Sequence, residues 1–148
     1  MPHFGLMDEK ALGSVKGPFQ RARLHMRSGK RRLREGKISA GIVTLYDALL
    51  GAMESYVNSP ENRRHIVITA GDDLRSDKTL YAVLVRSGIL DGAFDFEAFS
   101  RLTETALEEE MPSYDYHDVL NGIEQIMAQL GVMPFDESKL PPEDPSTF

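Results

Sequence analysis

Apolar residues recur at intervals of three and four along five separate segments, and this spacing constrains the fold more than any other feature of the chain. It places the apolar side chains of each segment on one face of an α-helix. The second segment, about Ile38 to Val57, has the widest apolar stripe, which is typical of a central helix with neighbours on several sides. The β-branched stretch Ile66–Thr69 has no convincing second strand to pair with. We therefore expect it to be a short helix or an extended connector.

Five helices joined by short connections predict an all-α, mostly antiparallel bundle. The lead-in is 1–17, the bundle 18–131 and an extended, proline-rich C-terminal tail 132–148. Apolar residues of the tail, Leu140 among them, would lay it across the bundle. Proline, glycine and short polar side chains set the expected helix ends. The predicted helices run from Pro18 to a stop at Gly36, from about Ile38 to Val57, from Asp72 or Asp73 to Arg86 or Ser87, from Asp95 to Glu110, and from about Asp115 to Leu130.

Composition excludes several classes of protein. The chain has 148 residues, which suits one domain, and it has no cysteine. Disulfide scaffolds, cysteine-ligated metal sites and thiol nucleophiles are thereby excluded. The glycine-rich phosphate-binding motifs and the Gly-x-Ser-x-Gly motif are absent. No apolar run is long enough to span a bilayer and the first residues do not resemble a signal peptide, so we expect a cytoplasmic protein with no membrane contact.

Charge is distributed unevenly along the chain, whose net charge is −6. Residues 10–37 contain ten Lys and Arg residues and one acid, whereas residues 91–148 contain fourteen acids and two bases. Such asymmetry is typical of a polyanion-binding surface, or of two halves that neutralise each other within or between chains. The candidate anion-binding residues on the first helix are Arg23, Arg27, Lys30, Arg31 and Arg34, and Arg63 and Arg64 follow the second. Because no aromatic residue interleaves the arginines, we favour ion pairing or a solvated face over nucleic-acid binding.

Residues Arg32 to Leu49 read Arg-Leu-Arg-Glu-Gly-Lys-Ile-Ser-Ala-Gly-Ile-Val-Thr-Leu-Tyr-Asp-Ala-Leu. A polar helix that ends in Glu-Gly, followed by a helix with small residues and Leu-Tyr-Asp-Ala, resembles the first two helices of HEPN domains, over roughly 18–57. The resemblance implies a helical bundle, often dimeric, with nucleotide or RNA partners. Active members of that family carry an Arg, four to six residues and then a His. None of the internal histidines, His25, His65 and His117, follows an arginine at that spacing, so the ribonuclease activity is not implied.

Carboxylates on apolar helix faces are the other candidate site residues, because a buried carboxylate must be paired or have a shifted pKa. Asp47 and Glu54 lie on the second helix, and we expect Asp47 to form an ion pair with an arginine of the first helix rather than to act as a general base. The acids Glu104 and Glu108, near His117 and Asp118, could also form a metal site. No Glu-x-x-His occurs, so we interpret them as surface acids and expect no metal or cofactor.

These observations favour a non-catalytic helical protein that acts through association. We expect self-association, with a dimer favoured, or binding of a protein partner. One alternative is a HEPN-like nucleotide- or RNA-binding protein that uses the basic first helix. A second alternative is a carboxylate-metal enzyme, although no recognised catalytic motif is present.

Overall fold

In the computed structural model, which describes residues 9–143 and residue 145, regular secondary structure is helical and the described residues contain no strand. The predicted all-α class is therefore confirmed. None of the described helices combines the length and the apolar character needed to cross a membrane. The helices are α1 (Glu9–Arg34), α2 (Ile38–Asn58), α3 (Pro60–Arg63), α4 (Asp77–Arg86), α5 (Phe96–Glu108) and α6 (His117–Gln129), and a 3-10 turn spans Glu137–Lys139.

Helices α1 and α2 form an antiparallel pair that is connected by a turn at residues 35–37. Gly36 allows this turn because its φ is 81°, in the left-handed region that favours glycine. The two backbones approach closely where small residues face each other. A Cβ built on Gly41 would lie 3.2 Å from the carbonyl oxygen of Gly29, so the two backbones are nearly in contact at this crossing.

Helix α2 is the centre of the core, as its wide apolar stripe predicts. It contacts α1, α4, α5 and α6. Ile42, Leu45, Leu49 and Met53 on this helix are fully buried. Helix α6 buries Ile123, Ile126 and Met127, whereas Val119 near its start is only half-buried. The first turn of α6 is therefore less covered than its amphipathic pattern predicts.

Helix α1 begins at Glu9 rather than at Pro18, so part of the expected lead-in belongs to the first helix. Gly13 (φ 90°, ψ −179°) interrupts it, and Pro18 lies inside it. A proline normally breaks a helix, because it lacks an N–H and its ring clashes with the preceding turn. Here packing against α2 compensates. Pro18 is buried, and the carbonyl of Ser14, to which Pro18 cannot donate, accepts a hydrogen bond of 2.9 Å from the side-chain amide of Asn58 on α2.

Two predicted helix starts are also corrected by the structure. Helix α4 begins after Ser76, whose hydroxyl accepts from the Thr79 N–H, and not at Asp72 or Asp73. The Asp72 carboxylate instead accepts hydrogen bonds from Thr69 and Arg86. Helix α6 begins at His117, because the Asp115 carboxylate accepts from the His117 N–H and stays outside the helix.

The remaining ends differ less. Asp95 caps α5 as predicted, by accepting from the Ala98 N–H. Helix α5 ends at Glu108, two residues before the predicted end, and Glu109 is extended. Residues 66–69 form a connector without regular secondary structure rather than a short helix, and the helical turn α3 precedes it.

Candidate functional site

A cluster of charged side chains joins α1 to α2 at the edge of the core. Its centre is Arg21, whose side chain is 15% exposed. The guanidinium lies 3.0 Å from Glu9 Oε2, 3.0 Å from Glu54 Oε2 and 3.5 Å from Asp47 Oδ2. The Nδ1 atom of His25 lies 2.6 Å from the same Asp47 oxygen. The predicted ion pair between Asp47 and an arginine of the first helix is therefore confirmed.

Electrostatics explain why the Arg21 cluster is stable. Burial alone would lower the pKa of Arg21, but the charges of Asp47, Glu54 and Glu9 outweigh it, so the pKa is raised. The single guanidinium of Arg21 thus balances three carboxylates. His65 lies exposed in the turn after α3, outside this cluster. The arrangement therefore fixes α1 against α2, which is a structural role.

The basic residues of α1 face the C-terminal part of the chain. Arg23 Nε donates to the carbonyl of Val132 at 3.2 Å, and its guanidinium lies over the rings of Phe19 and Phe135. Lys30 Nζ lies 3.4 Å from Glu124 Oε2 on α6. The basic helix and the acidic third are thus joined by direct contacts.

The tail crosses α1 through Arg27 and Arg31. Arg27 Nη2 donates to the carbonyl of Pro141 at 2.7 Å. Arg31 Nε lies 3.1 Å from Glu143 Oε1, and its Nη1 lies 3.0 Å from Glu35 Oε1. Leu140 packs against the buried Leu24. The expectation that Leu140 helps to lay the tail across the bundle is therefore confirmed.

The other three candidate cations are exposed. Arg34 lies in the last turn of α1, and Arg63 and Arg64 lie at the end of α3. Arg63 donates to the carbonyl of Val57 at 3.4 Å. The structure therefore separates the seven predicted anion-binding residues into a covered group on α1 and exposed residues at helix ends.

The acids considered for a metal site do not converge. Glu104 and Glu108 are exposed on α5. His117 Nδ1 lies 2.7 Å from Asp115 Oδ1, and this hydrogen bond lowers the pKa of Asp115. Within residues 9–143 and at 145, no group of three or more His, Asp or Glu residues is arranged to hold a metal ion.

An open cavity of about 420 Å³ lies between α5, α6 and the loop that precedes α5. This volume is within the range of ligand-binding pockets. Its walls are mainly apolar and aromatic, and three carboxylates line it as well. The apolar lining includes Phe94, Phe99, Leu102, Val119 and Ile126, and the carboxylates are Asp91, Asp95 and Asp118.

Carboxylates surround the two tyrosines beside this cavity. The pKa of Tyr114, which lines it, is raised by burial first and then by the charges of Asp115 and Asp118. The pKa of Tyr81 is raised by burial first and then by the charges of Asp91 and Asp95. Both burial and negative charge disfavour the tyrosinate, so the two hydroxyls stay protonated.

Phe94 lines this cavity and also a second one of about 420 Å³, which Tyr81 and Phe96 line as well. The ring of Phe94 lies against Gly122 of α6, where an added Cβ would be 2.5 Å from a ring carbon. The Tyr81 hydroxyl donates to the carbonyl of Phe94 at 2.8 Å and holds the loop in place. Phe94 is therefore held between α4 and α6 at the border of both cavities.

Sequence reasoning did not identify this region, and only weak signals point to it. Helical periodicity shows that Val119 and Ile126 share one face of α6, but not that the first turn of that face is left partly uncovered. Gly122 on the same helix is the most informative position, since a glycine inside a helix costs about 1 kcal/mol relative to alanine and is typical of a site of close packing.

This chain matches no protein-family model, no curated protein and no solved structure. The fold places it in the general class of all-α helical bundles. Its function must therefore be argued from its surfaces and cavities.

Proposed function

We propose that this protein is a non-catalytic binding module whose cavity between α5 and α6 accepts an apolar side chain from a basic segment of a partner protein. The observation that carries the proposal is an open apolar cavity with carboxylates along its lining. Sequence analysis leads to the same class of function, association with a protein partner, but it did not locate the site.

Size and lining favour an apolar anchor. A cavity of about 420 Å³ can take one or two large side chains, and Phe99 and Ile126 at its base are buried. Burying apolar surface is favourable by roughly 25 cal/mol per Å². Interfaces commonly obtain most of their binding energy from a few aromatic or aliphatic anchors seated in such pockets.

Charge determines the kind of segment that fits. Asp91, Asp95 and Asp118 line the cavity, and the whole region 91–148 has fourteen acids against two bases. A segment with Lys or Arg beside its apolar anchor would be attracted, whereas an acidic segment would be repelled. The partner is therefore a basic amphipathic helix or peptide.

The test uses two synthetic amphipathic peptides, one of leucine and lysine and one of leucine and glutamate. Each is titrated into the isotopically labelled full chain, and amide chemical shifts are followed by NMR. We expect the leucine-lysine peptide to shift resonances around the cavity, at Ala98, Leu102 and Gly122, and the leucine-glutamate peptide to leave them unchanged. The affinity is expected to decrease with salt, because exposed charges are screened.

A matched pair of variants tests the location. Asp118→Lys reverses a charge at the cavity, and Glu108→Lys makes the same change at an exposed position of α5 that does not line it. We expect the first to weaken binding of the leucine-lysine peptide at least fivefold and the second to change it less than twofold. Equal loss in both variants, or equal binding of the two peptides, would contradict the proposal.

A further inference from the structure

We propose that the face of α1 beneath the C-terminal tail is a second binding surface, which recognises an extended acidic or phosphorylated segment of a partner protein. We call it the tail-covered face and define it by Leu24, Arg27 and Arg31. In the structure the chain's own tail occupies it. The proposal uses a different surface from the α5–α6 cavity and does not depend on it.

The bound tail shows what the tail-covered face recognises. Leu24, Arg27 and Arg31 are three and four residues apart, so they lie in a row on one side of α1. Along this row the tail presents the apolar side chain of Leu140, then the carbonyl of Pro141, then the carboxylate of Glu143. Leu140 is in an extended conformation (φ −79°, ψ 152°). A fitting ligand therefore has an apolar residue followed three positions later by an anion.

Any segment that covers this face must supply an anion, because it removes water from two arginines. The exposed fractions of the side chains are 14% for Arg27, 12% for Arg31 and 15% for Glu143. Cations that are so strongly desolvated are costly without a counter-charge. When the tail leaves, the two arginines gain hydration, and an incoming anion restores the lost pairing. The face is therefore suited to exchange one acidic segment for another.

A phosphate would satisfy the tail-covered face better than the carboxylate does. Arg31 Nε donates hydrogen bonds to both carboxylate oxygens of Glu143, at 3.1 and 3.2 Å. Arg27 Nε is buried, lies 4.0 Å from Glu143 Oε2, and has no hydrogen-bond partner among the described residues. A phosphorylated side chain has three acceptor oxygens, so it can accept from both arginines. We therefore infer that phosphorylated segments bind this face more tightly than acidic ones.

The tethered tail competes with a partner segment for the tail-covered face and lowers the segment's apparent affinity. A short linker keeps a tethered ligand at an effective concentration of about 1 mM. If a free segment of the same sequence binds with a Kd on the order of 10 µM, the tail reduces the apparent affinity for it by about 100-fold. Weakening the tail should therefore increase binding by a partner segment.

The test measures fluorescence anisotropy of a labelled peptide that spans residues 134–148, added to full-length variants. The tail-released variant carries Leu140→Ser and Glu143→Arg, and Glu143→Gln is a milder release. We expect the tail-released variant to bind the peptide at least tenfold more tightly than the unmodified chain, and Glu143→Gln to change binding in the same direction. A peptide with phosphoserine at position 143 is expected to bind still more tightly.

Two further variants locate the site on the tail-released background. Arg31→Glu is expected to weaken peptide binding at least tenfold, since it reverses a desolvated charge. Lys16→Glu makes the same charge change at an exposed position of α1 and is expected to change binding less than twofold. Thermal melting checks that each variant is folded.

Four results would overturn the proposal. The first is that the tail-released variant and Glu143→Gln bind the peptide no better than the unmodified chain. The second is that Lys16→Glu weakens peptide binding as much as Arg31→Glu does. A single-stranded RNA oligonucleotide could displace the peptide at lower concentration than the unlabelled peptide does, which would make the face a nucleic-acid surface. Displacement by the unmodified chain would mean that the face takes the tail of a second copy.

Discussion

Gly51 of α2 is the position at which a single added methyl group has the clearest consequence. A Cβ at residue 51 would lie 2.8 Å from the carbonyl oxygen of Pro18, 3.1 Å from Arg21 Nε and 3.3 Å from the Ala22 nitrogen. Two of these three atoms belong to the backbone of α1, so no side-chain rotation relieves the contact. We expect Gly51→Ala to force the two helices apart at this point.

Two opposing effects decide the size of the change. Replacing a helical glycine by alanine stabilises the helix by about 1 kcal/mol. Overpacking a buried contact costs about 1–3 kcal/mol, and a contact with backbone lies towards the upper end of that range. We therefore expect Gly51→Ala to lower the free energy of unfolding by about 1–2 kcal/mol. For a chain of this size that corresponds to a Tm lower by about 3–6 °C.

Gly29→Ala is the matched control on α1. Its Cβ would lie 2.8 Å from Leu45 Cδ2, a side-chain atom that can shift, and 3.5 Å from the Gly41 carbonyl oxygen. We expect a net change within about 1 kcal/mol, because the gain in helix propensity offsets much of the repacking.

Urea unfolding followed by circular dichroism measures both variants. An unchanged m-value would confirm that the native state remains compact. The reasoning is refuted if Gly51→Ala is as stable as the unmodified protein, or if Gly29→Ala is the more costly of the two.

Three further predictions concern the core, the ion pairs and pH. Ile123→Ala is expected to lower the free energy of unfolding in urea by about 2–5 kcal/mol, because Ile123 is fully buried; a loss below about 0.5 kcal/mol would contradict its core position. Raising salt from about 0.05 to 0.5 M is expected to lower stability slightly by screening pairs such as that between Lys30 and Glu124, and stabilisation by salt would contradict this. The pKa of Asp72 is lowered to about 2 from 3.8, mainly by hydrogen bonds from Arg86 and Thr69. Its contribution is therefore complete above about pH 4 and is lost as pH falls towards 2, and Asp72→Asn should make acid unfolding less steep in that window.

The helical elements were predictable because apolar spacing reports directly which residues share a helix face. The α2 stripe, the Asp95 cap and the glycine turn at Gly36 all depend on local signals. The start of α1 was not predictable, since Gly17 and Pro18 are local signals against a helix and are overruled by packing against α2. Local propensity is weak compared with tertiary contacts.

The contacts between distant segments were only partly predictable. Charge asymmetry indicated that the basic helix could pair with the acidic third, but it could not show that Glu143 lies between Arg27 and Arg31. Pairing of this kind depends on where the tail crosses the bundle, which no spacing in the sequence encodes. The α5–α6 cavity was missed for the same reason, because it is the space left by three separate segments. The HEPN-like resemblance, nucleotide or RNA binding and the dimeric state stay predictions.

The position of Phe94 ties the shape of two cavities to one glycine of α6. The ring lies against Gly122, where an added Cβ would be 2.5 Å from a ring carbon. A side chain larger than hydrogen at residue 122 would therefore displace the ring. Because Phe94 lines both cavities, such a displacement would change the walls of both at once.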